Sequence, residues 1–309
     1  MDGNRGVFLR TVSTPQQAFS FILEALSQPG AATGVRELDG EGSLTLAIPE
    51  LNAGRGFGQP ERHQFDVLEH QLEAVASFDR AVTEGRRAET FHANLDWFDV
   101  DGVFDRQIGG LPVRTLLRLS CLVHDVGKPH VALWDDERLK FPGHGRRGSE
   151  LVAERLPALG LTQDAVNFVT RMVRYHLRPG EFLRSWPPTD KAIRRFTADL
   201  NGEVLPLMVL QLCDGMSTRG PLYSEENFTR HLRFLNYVVA HATILQIPDE
   251  PPLLDGHAVM AELGIPSGRL LGAVLTSIRQ AQLERSIANR GEAIALARAT
   301  LAELSDSEF

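Results

Sequence analysis

Leu119-Ser120-Cys121-Leu122-Val123-His124-Asp125-Val126-Gly127-Lys128-Pro129 sets an imidazole and a carboxylate side by side at the end of a strongly apolar run. Burying both is costly unless something strong takes their lone pairs. A divalent cation does so at least cost. The His-Asp pair alone is weak, because the dipeptide is common by chance. Its weight comes from company. His70 lies upstream, His144 and His176 follow, and Asp214 ends a second apolar run, Leu210-Gln211-Leu212-Cys213-Asp214.

Around these positions the pattern is helical almost throughout. Thr14-Pro15 reads as an N-cap and first-turn proline of a helix that stops near Pro29-Gly30. Residues 30–45 are Gly-rich and read as loop, residues 44–51 as a short strand or a helical turn, and residues 54–60 as a linker. A helix over 65–82 places His70 on one face with Val67, Ala74 and Phe78. Residues 84–110 are polar and Gly-rich and predict an ordered but variable excursion. A buried helix is predicted over 111–126, stopped by Gly127 and Pro129. Val169, Met172, Val173 and His176 follow helical spacing, which turns His176 to the core side. Pro206 opens a helix running to Asp214. The last third reads as further helices, one from 267 into the 280s and one over 292–304. The expected fold is therefore all-α.

Helix bundles bring side chains from several helices onto one point. Mixed imidazole and carboxylate donors suit manganese, iron, nickel, cobalt or zinc rather than calcium. Asp125 has two oxygens and can bridge two ions. Two ions held ~3.5–4 Å apart clamp a phosphate and turn a bound water into hydroxide near neutral pH. Four histidines and two aspartates suffice for a dinuclear centre, whereas one ion needs only His70, His124, Asp125 and Asp214. A lone histidine on an apolar face is more often a satisfied core residue, and His144 or His176 taken singly reads that way. Asp214 at a helix C-terminus opposes the helix dipole and wants a compensating cation. His63 and His130 are near enough in sequence to support the ligands. Lys128 follows a helix end, where a cation is favoured anyway, and could equally reach a substrate phosphate.

The total charge of −8 argues against a general nucleic-acid coat. Eleven Lys/Arg face five acids between residues 140 and 195, a local +6 that leaves −14 elsewhere. That segment reads either as a solvated helical surface or as a basic rim for a phosphorylated substrate. Cys121 and Cys213 are the two cysteines, and read as small buried hydrophobes in a reducing cytoplasm. No signal peptide is expected at the N-terminus, and no apolar run approaches the ~20 residues of a membrane helix.

With these positions in hand, the chain resembles the HD superfamily of metal-dependent phosphohydrolases. The ordered set is His70, His124-Asp125 with Gly127-Lys128-Pro129, Phe141-Pro-Gly-His144, Tyr175-His176 and Asp214. More narrowly, Gln59-Pro-Glu-Arg-His63-Gln-Phe-Asp66-Val-Leu-Glu-His70 and the tail from Leu254 through Ala293 are similar to the HD-containing portion of bacterial tRNA nucleotidyltransferases, over about residues 45 to 303. The resemblance implies an HD helical bundle over 61–218, flanked by helical regions 1–60 and 219–309. It implies metal ligands His70, His124, Asp125, His144, His176 and Asp214 for one or two ions (Mn, Fe, Ni, Co or Mg), two favoured. It implies Asp125 and Lys128 in catalysis, with Lys128, Arg147 and Arg178 on substrate. The implied substrate is a nucleotide or RNA-end phosphoester, 2′,3′-cyclic phosphodiesters first. Nothing here matches the Gly-rich strand-turn and Asp-x-Asp pair of a nucleotidyltransferase head, so nucleotide addition is not expected. The alternatives are a tRNA-binding accessory subunit and a nucleotide-triggered regulator.

Overall fold

The computed structural model describes residues 12–61, 63–83, 100–136, 138–182, 186–219, 224–246, 252–283 and 286–306. It is all-α, with two small antiparallel strand pairs among the described residues. Helix α1 (Pro15–Ser27) starts as its sequence predicts: Thr14 Oγ1 accepts from the Gln17 amide at 3.2 Å, and Pro15 needs no partner. The loop expected over 30–45 is instead two helices, α2 (Ala31–Gly40) and α3 (Ser43–Ala47). The glycines mislead because they sit at the joints. Gly30 and Gly42 take φ of 72° and 77° before each helix, where a side chain would be strained. Ala31, Ala32, Val35 and Leu38 then form a buried stripe at helical spacing. The 44–51 ambiguity also resolves as helical, with a 3-10 turn at Pro49–Gly54 after α3.

Helix α4 (Val67–Phe78) is capped by Asp66, whose Oδ1 accepts from the Glu69 amide at 2.7 Å. It passes into a π-helical turn at Asp79–Thr83. Of the excursion expected over 84–110, residues 84–99 lie outside the described residues. The remainder is α5 (Val100–Asp105) and a minimal hairpin, β1 (Gln107–Ile108) with β2 (Leu111–Pro112). The central helix α6 (Val113–Val123) is buried on every side from Thr115 to Val123, which is why it reads as continuously apolar. It is shorter than the predicted 111–126, because residues 124–127 form a turn. Pro129, read as a stop, sits in the first turn of the short α7 (Lys128–Val131), where a proline is tolerated. Strands β3 (Leu133–Asp135) and β4 (Arg138–Lys140) follow, then α8 (His144–Ala158), α9 (Gln163–Tyr175), α10 (Arg178–Phe182), α11 (Asp190–Asp199), α12 (Val204–Ser217), α13 (Glu225–Gln246), α14 (Gly256–Leu263), α15 (Arg269–Leu283) and α16 (Arg290–Asp306).

The chain forms two compact units, one of residues up to Pro188 with Glu203–Asn236, the other of Thr189–Gly202 with Tyr237 onward. In the first, α6 packs on α1, α4, α9 and α12. Leu116, Leu119 and Leu122 meet a core that includes Val75, Val169, Met172, Leu207 and Leu210, all fully buried. In the second, α14, α15 and α16 close over Val259, Val274, Ile278, Ala293 and Ala297. No helix among the described residues is long and apolar enough to cross a membrane.

One buried ion pair ties the first unit together. Arg118 on α6 is 1% exposed, and its Nε and Nη2 donate to Asp79 Oδ1 at 3.0 and 2.5 Å. Its Nη1 donates to the Leu26 carbonyl at the end of α1 at 2.8 Å. Arg118→Met leaves Asp79 buried without its partner, so equilibrium urea unfolding is expected to show a loss of about 3–5 kcal/mol. The double variant Arg118→Met/Asp79→Leu is expected to recover part of that loss. An Arg118→Met protein as stable as wild type would refute the role.

Candidate metal centre

Five elements deliver the site. His70 lies in the first turns of α4, His124 and Asp125 in the turn after α6, His144 at the first position of α8, His176 just beyond α9, and Asp214 in the last turn of α12. Three of the imidazoles are aimed by one device. Nδ1 of His124, His144 and His176 bonds the carbonyl three residues earlier: Cys121 at 2.8 Å, Phe141 at 2.7 Å and Val173 at 2.7 Å. A carbonyl only accepts, so each Nδ1 carries the proton and each Nε2 turns its lone pair inward. His70 is oriented by Ser217, with Nδ1 3.1 Å from its Oγ and 3.4 Å from its carbonyl.

Close approach of backbones makes this possible. A Cβ at Gly127 would meet the His144 carbonyl oxygen at 2.1 Å and the Gly148 nitrogen at 2.6 Å, so only glycine lets the His124–Asp125 turn lie on α8. Gly145 likewise lies against the end of α9, where an added Cβ would stand 3.1 Å from the Arg174 carbonyl oxygen.

The donor atoms fall into two groups, His70–His124–Asp214 and Asp125–His144–His176. Asp125 faces both. Its Oδ2 lies 3.1 Å from His124 Nε2 and 3.4 Å from His70 Nε2. Its Oδ1 lies 3.2 Å from His144 Nε2 and 3.6 Å from His176 Nε2. Asp214 Oδ1 is 3.1 Å from His70 Nε2 and 3.8 Å from His124 Nε2. The imidazoles also face each other nitrogen to nitrogen, at 3.3 Å for His70–His124 and 3.2 Å for His144–His176. Two lone pairs cannot bond one another, so each face-off needs a cation or a proton between its nitrogens. Neither Asp125 oxygen completes a hydrogen bond of good geometry, although Lys128 Nζ is its ion partner at 2.5 Å. Both groups therefore fit a divalent ion.

Burial disfavours charge on His70, but the facing carboxylates of Asp125 and Asp214 outweigh it and hold its pKa up at about 9. Burial also disfavours the Asp125 carboxylate, yet the neighbouring His124 and the Lys128 ammonium keep its pKa well below the usual range. Asp214 is likewise held low against burial by its bond to His70 and by the neighbouring His124. Burial pushes His176 down. The Asp125 side chain is 2% exposed and that of Asp214 is 21%, so the centre opens on the Asp214 side.

All six side chains expected as ligands converge, and of the other expected site residues Lys128 reaches Asp125. Lys128 is buried, with Nζ donating to Gln59 Oε1 at 2.7 Å and lying 5.5 Å from the Phe141 ring centre. Arg147 pairs with Glu150 at 3.3 Å, and the Arg178 guanidinium lies over Tyr175 at 5.4 Å. Sequence reasoning missed Gln59 and Ser217, for which no local signal exists. It also read residues 54–60 as a linker, whereas Gln59 reaches Lys128. His63, placed only as near in sequence, has its ring 5.0 Å from that of His70, edge to face. Cys121 and Cys213 are free and buried.

This constellation, at the ends of packed helices, has counterparts. Residues 106–215 match the HD domain family, so the chain carries an HD domain. His70 lies upstream of the matched stretch. The A-adding tRNA nucleotidyltransferase of Deinococcus radiodurans is 34% identical over 260 residues, 83% of this chain and 52% of that protein. The CC-adding tRNA nucleotidyltransferase of Thermus thermophilus is 30% identical over 275 residues, 88% of this chain and 54% of that protein. The chain is homologous to the HD-containing portion of these tRNA nucleotidyltransferases, and it spans about half the length of the curated relatives it matches.

His70 yields a pH prediction. Its pKa in the folded protein, about 9, lies above the ordinary 6.5. A raised pKa stabilises the fold fully below pH 6.5, and that stability is lost as pH rises through 9. Thermal melts in chelator are expected to fall across this window, and divalent ions are expected to flatten the fall by displacing the proton. A chelated protein whose melting is flat from pH 6.5 to 9 would refute the pairing of His70 with the two carboxylates.

Proposed function

We propose that the chain is a metal-dependent phosphohydrolase of the HD type. One observation carries the reading: a sealed carboxylate, Asp125, whose two oxygens each face a different pair of imidazole nitrogens. His70, His124, Asp214 and Asp125 Oδ2 would hold one ion, and Asp125 Oδ1, His144 and His176 a second, so two ions are favoured. When bound, such ions supply Lewis-acid charge to phosphoryl oxygens and lower the pKa of coordinated water. The donor set suits manganese, iron, nickel or cobalt, and the family resemblance adds magnesium.

The substrate we assign is a nucleotide or RNA-end phosphoester, 2′,3′-cyclic phosphodiesters first. Homology to proteins named for work on tRNA supports this, as does the +6 stretch over residues 140–195, which holds His144, His176, Arg147 and Arg178. Substrate approaches from the Asp214 side. Lys128, fixed by Gln59 and Asp125, adds positive charge there, and Arg147 and Arg178 extend it. The working unit is the HD portion over 61–218, with 1–60 and 219–309 flanking it, in the cytoplasm. A second reading, a tRNA-binding accessory chain, rests on the same relatives, which are nucleotidyltransferases and about twice as long.

Elemental assay of anaerobically purified protein is expected to find up to two ions per chain. Turnover of 2′,3′-cyclic nucleotides and p-nitrophenyl phosphodiesters with Mn²⁺, Ni²⁺, Co²⁺ or Mg²⁺ is expected to vanish with chelator. Asp125→Asn is expected to lower it more than about a hundredfold, since even partners behind a ligand are worth about 10–100-fold. Folded protein with no turnover under any metal ends the hydrolase reading. Tight, salt-sensitive tRNA binding without cleavage favours the accessory reading.

A further inference from the structure

Between the 3-10 turn at Pro49–Gly54 and α4, two side chains reach residues of the centre: Gln59 meets Lys128 and His63 meets His70. Gln59 is clamped first. Its Nε2 donates to the carbonyls of Phe65 and Asp66, each at 3.2 Å, which leaves Oε1 aimed at Lys128 Nζ. Four residues on, His63 is fixed from both sides of its backbone. Its amide donates to the Pro60 carbonyl at 2.9 Å, and it forms a β-bridge with Arg219, just beyond the helix that carries Asp214. Its ring stands at 71° to that of His70. The ring is half-buried, and Nδ1 is shut off from solvent with no partner. A buried polar atom left unpaired is uncommon and calls for a ligand, a water or an ion. His63 makes no side-chain hydrogen bond to any described residue, whereas each of the four ligand histidines commits Nδ1 to a fixed partner. Its ring thus lies against that of His70 with hydrogen-bonding capacity to spare.

We propose that His63 is a substrate-contacting residue, whose imidazole donates a hydrogen bond to an oxygen of the phosphoryl group seated on the metal centre. This rests on the hydrolase reading. It assigns His63 to the phosphate common to every candidate substrate, so it holds whichever nucleotide is natural. No proton transfer is required, because a neutral imidazole has one N–H to give.

The competing role is packing, with the ring serving only to prop His70. Two variants separate the roles. His63→Phe keeps a flat ring against His70 and removes the donor. His63→Asn keeps a donor and removes most of the ring. Inorganic phosphate is titrated calorimetrically into Mn²⁺-loaded wild type and both variants, with manganese content and thermal melting measured on the same samples. His63→Phe is expected to keep its manganese and melting point and to weaken phosphate binding about tenfold, the worth of one hydrogen bond to a charged group. His63→Asn is expected to stay closer to wild type in phosphate affinity. His63→Phe with wild-type phosphate affinity overturns the inference. So does a His63→Phe protein that loses manganese or fold while His63→Asn loses phosphate, since the ring then acts through His70. A wild type that takes up no manganese sinks the hydrolase reading itself, and this inference with it.

Discussion

Asp125 places a carboxylate in a sealed space among four imidazoles, and most of the first unit can be understood as the means of holding it there. A charge so buried is costly unless it is paired and bonded. Its compensation comes from Lys128 in the next turn, from His124 beside it, and from the nitrogens of His70, His144 and His176. Each of those nitrogens faces inward because a fixed acceptor occupies the far side of its ring. The orienting carbonyls of Cys121, Phe141 and Val173 come from the ends of helices or the turns before them. That is where carbonyls lack helical partners or chains enter a helix. The site is thus built from groups that helix termini leave available.

Rigidity follows from the packing behind it. α6 is buried around its whole circumference, so the turn that carries His124 and Asp125 starts from a helix that has no freedom to tilt. Gly127 lets that turn lie directly on α8, and Gly145 lets α8 lie on the end of α9. Arg118 anchors the far side of α6 to α1 and to the π-helical turn after α4. Exposure then sets direction. Asp125 is closed off while Asp214 is partly open, so access is from the Asp214 side.

Similarity to tRNA nucleotidyltransferases runs along more than four-fifths of this chain, whereas the HD match covers 106–215 and starts after His70. His70 belongs to α4, which reaches the centre from a different part of the sequence and pairs with Asp214 at the other end of it. The ligand set is a property of the assembled bundle rather than of any one stretch.

Much of this was legible in the residues. Apolar spacing marks α4, α6 and α9, Thr14 and Pro15 mark the start of α1, and the lone pairs of His124 and Asp125 after a run of buried leucines mark the centre. Spacing also turned His176 to the core. These readings succeed because they depend on neighbours one helical turn away. The failures share an opposite cause. Gly30 and Gly42 suggest a loop, but their left-handed backbone joins helices whose buried stripe is set by contacts with α1 and α4. Residues 54–60 suggest a spacer, but Gln59 meets a lysine 69 positions away. His63 carries no periodic or charge signal, and only the bridge to Arg219 sets its ring against His70. The sequence by itself determined helices such as α1, α4, α6 and α9, and which residues have the chemistry to bind a cation. Tertiary structure alone decided that the two oxygens of Asp125 divide those residues into two groups, because that division depends on distances between chain segments, which local propensity does not encode.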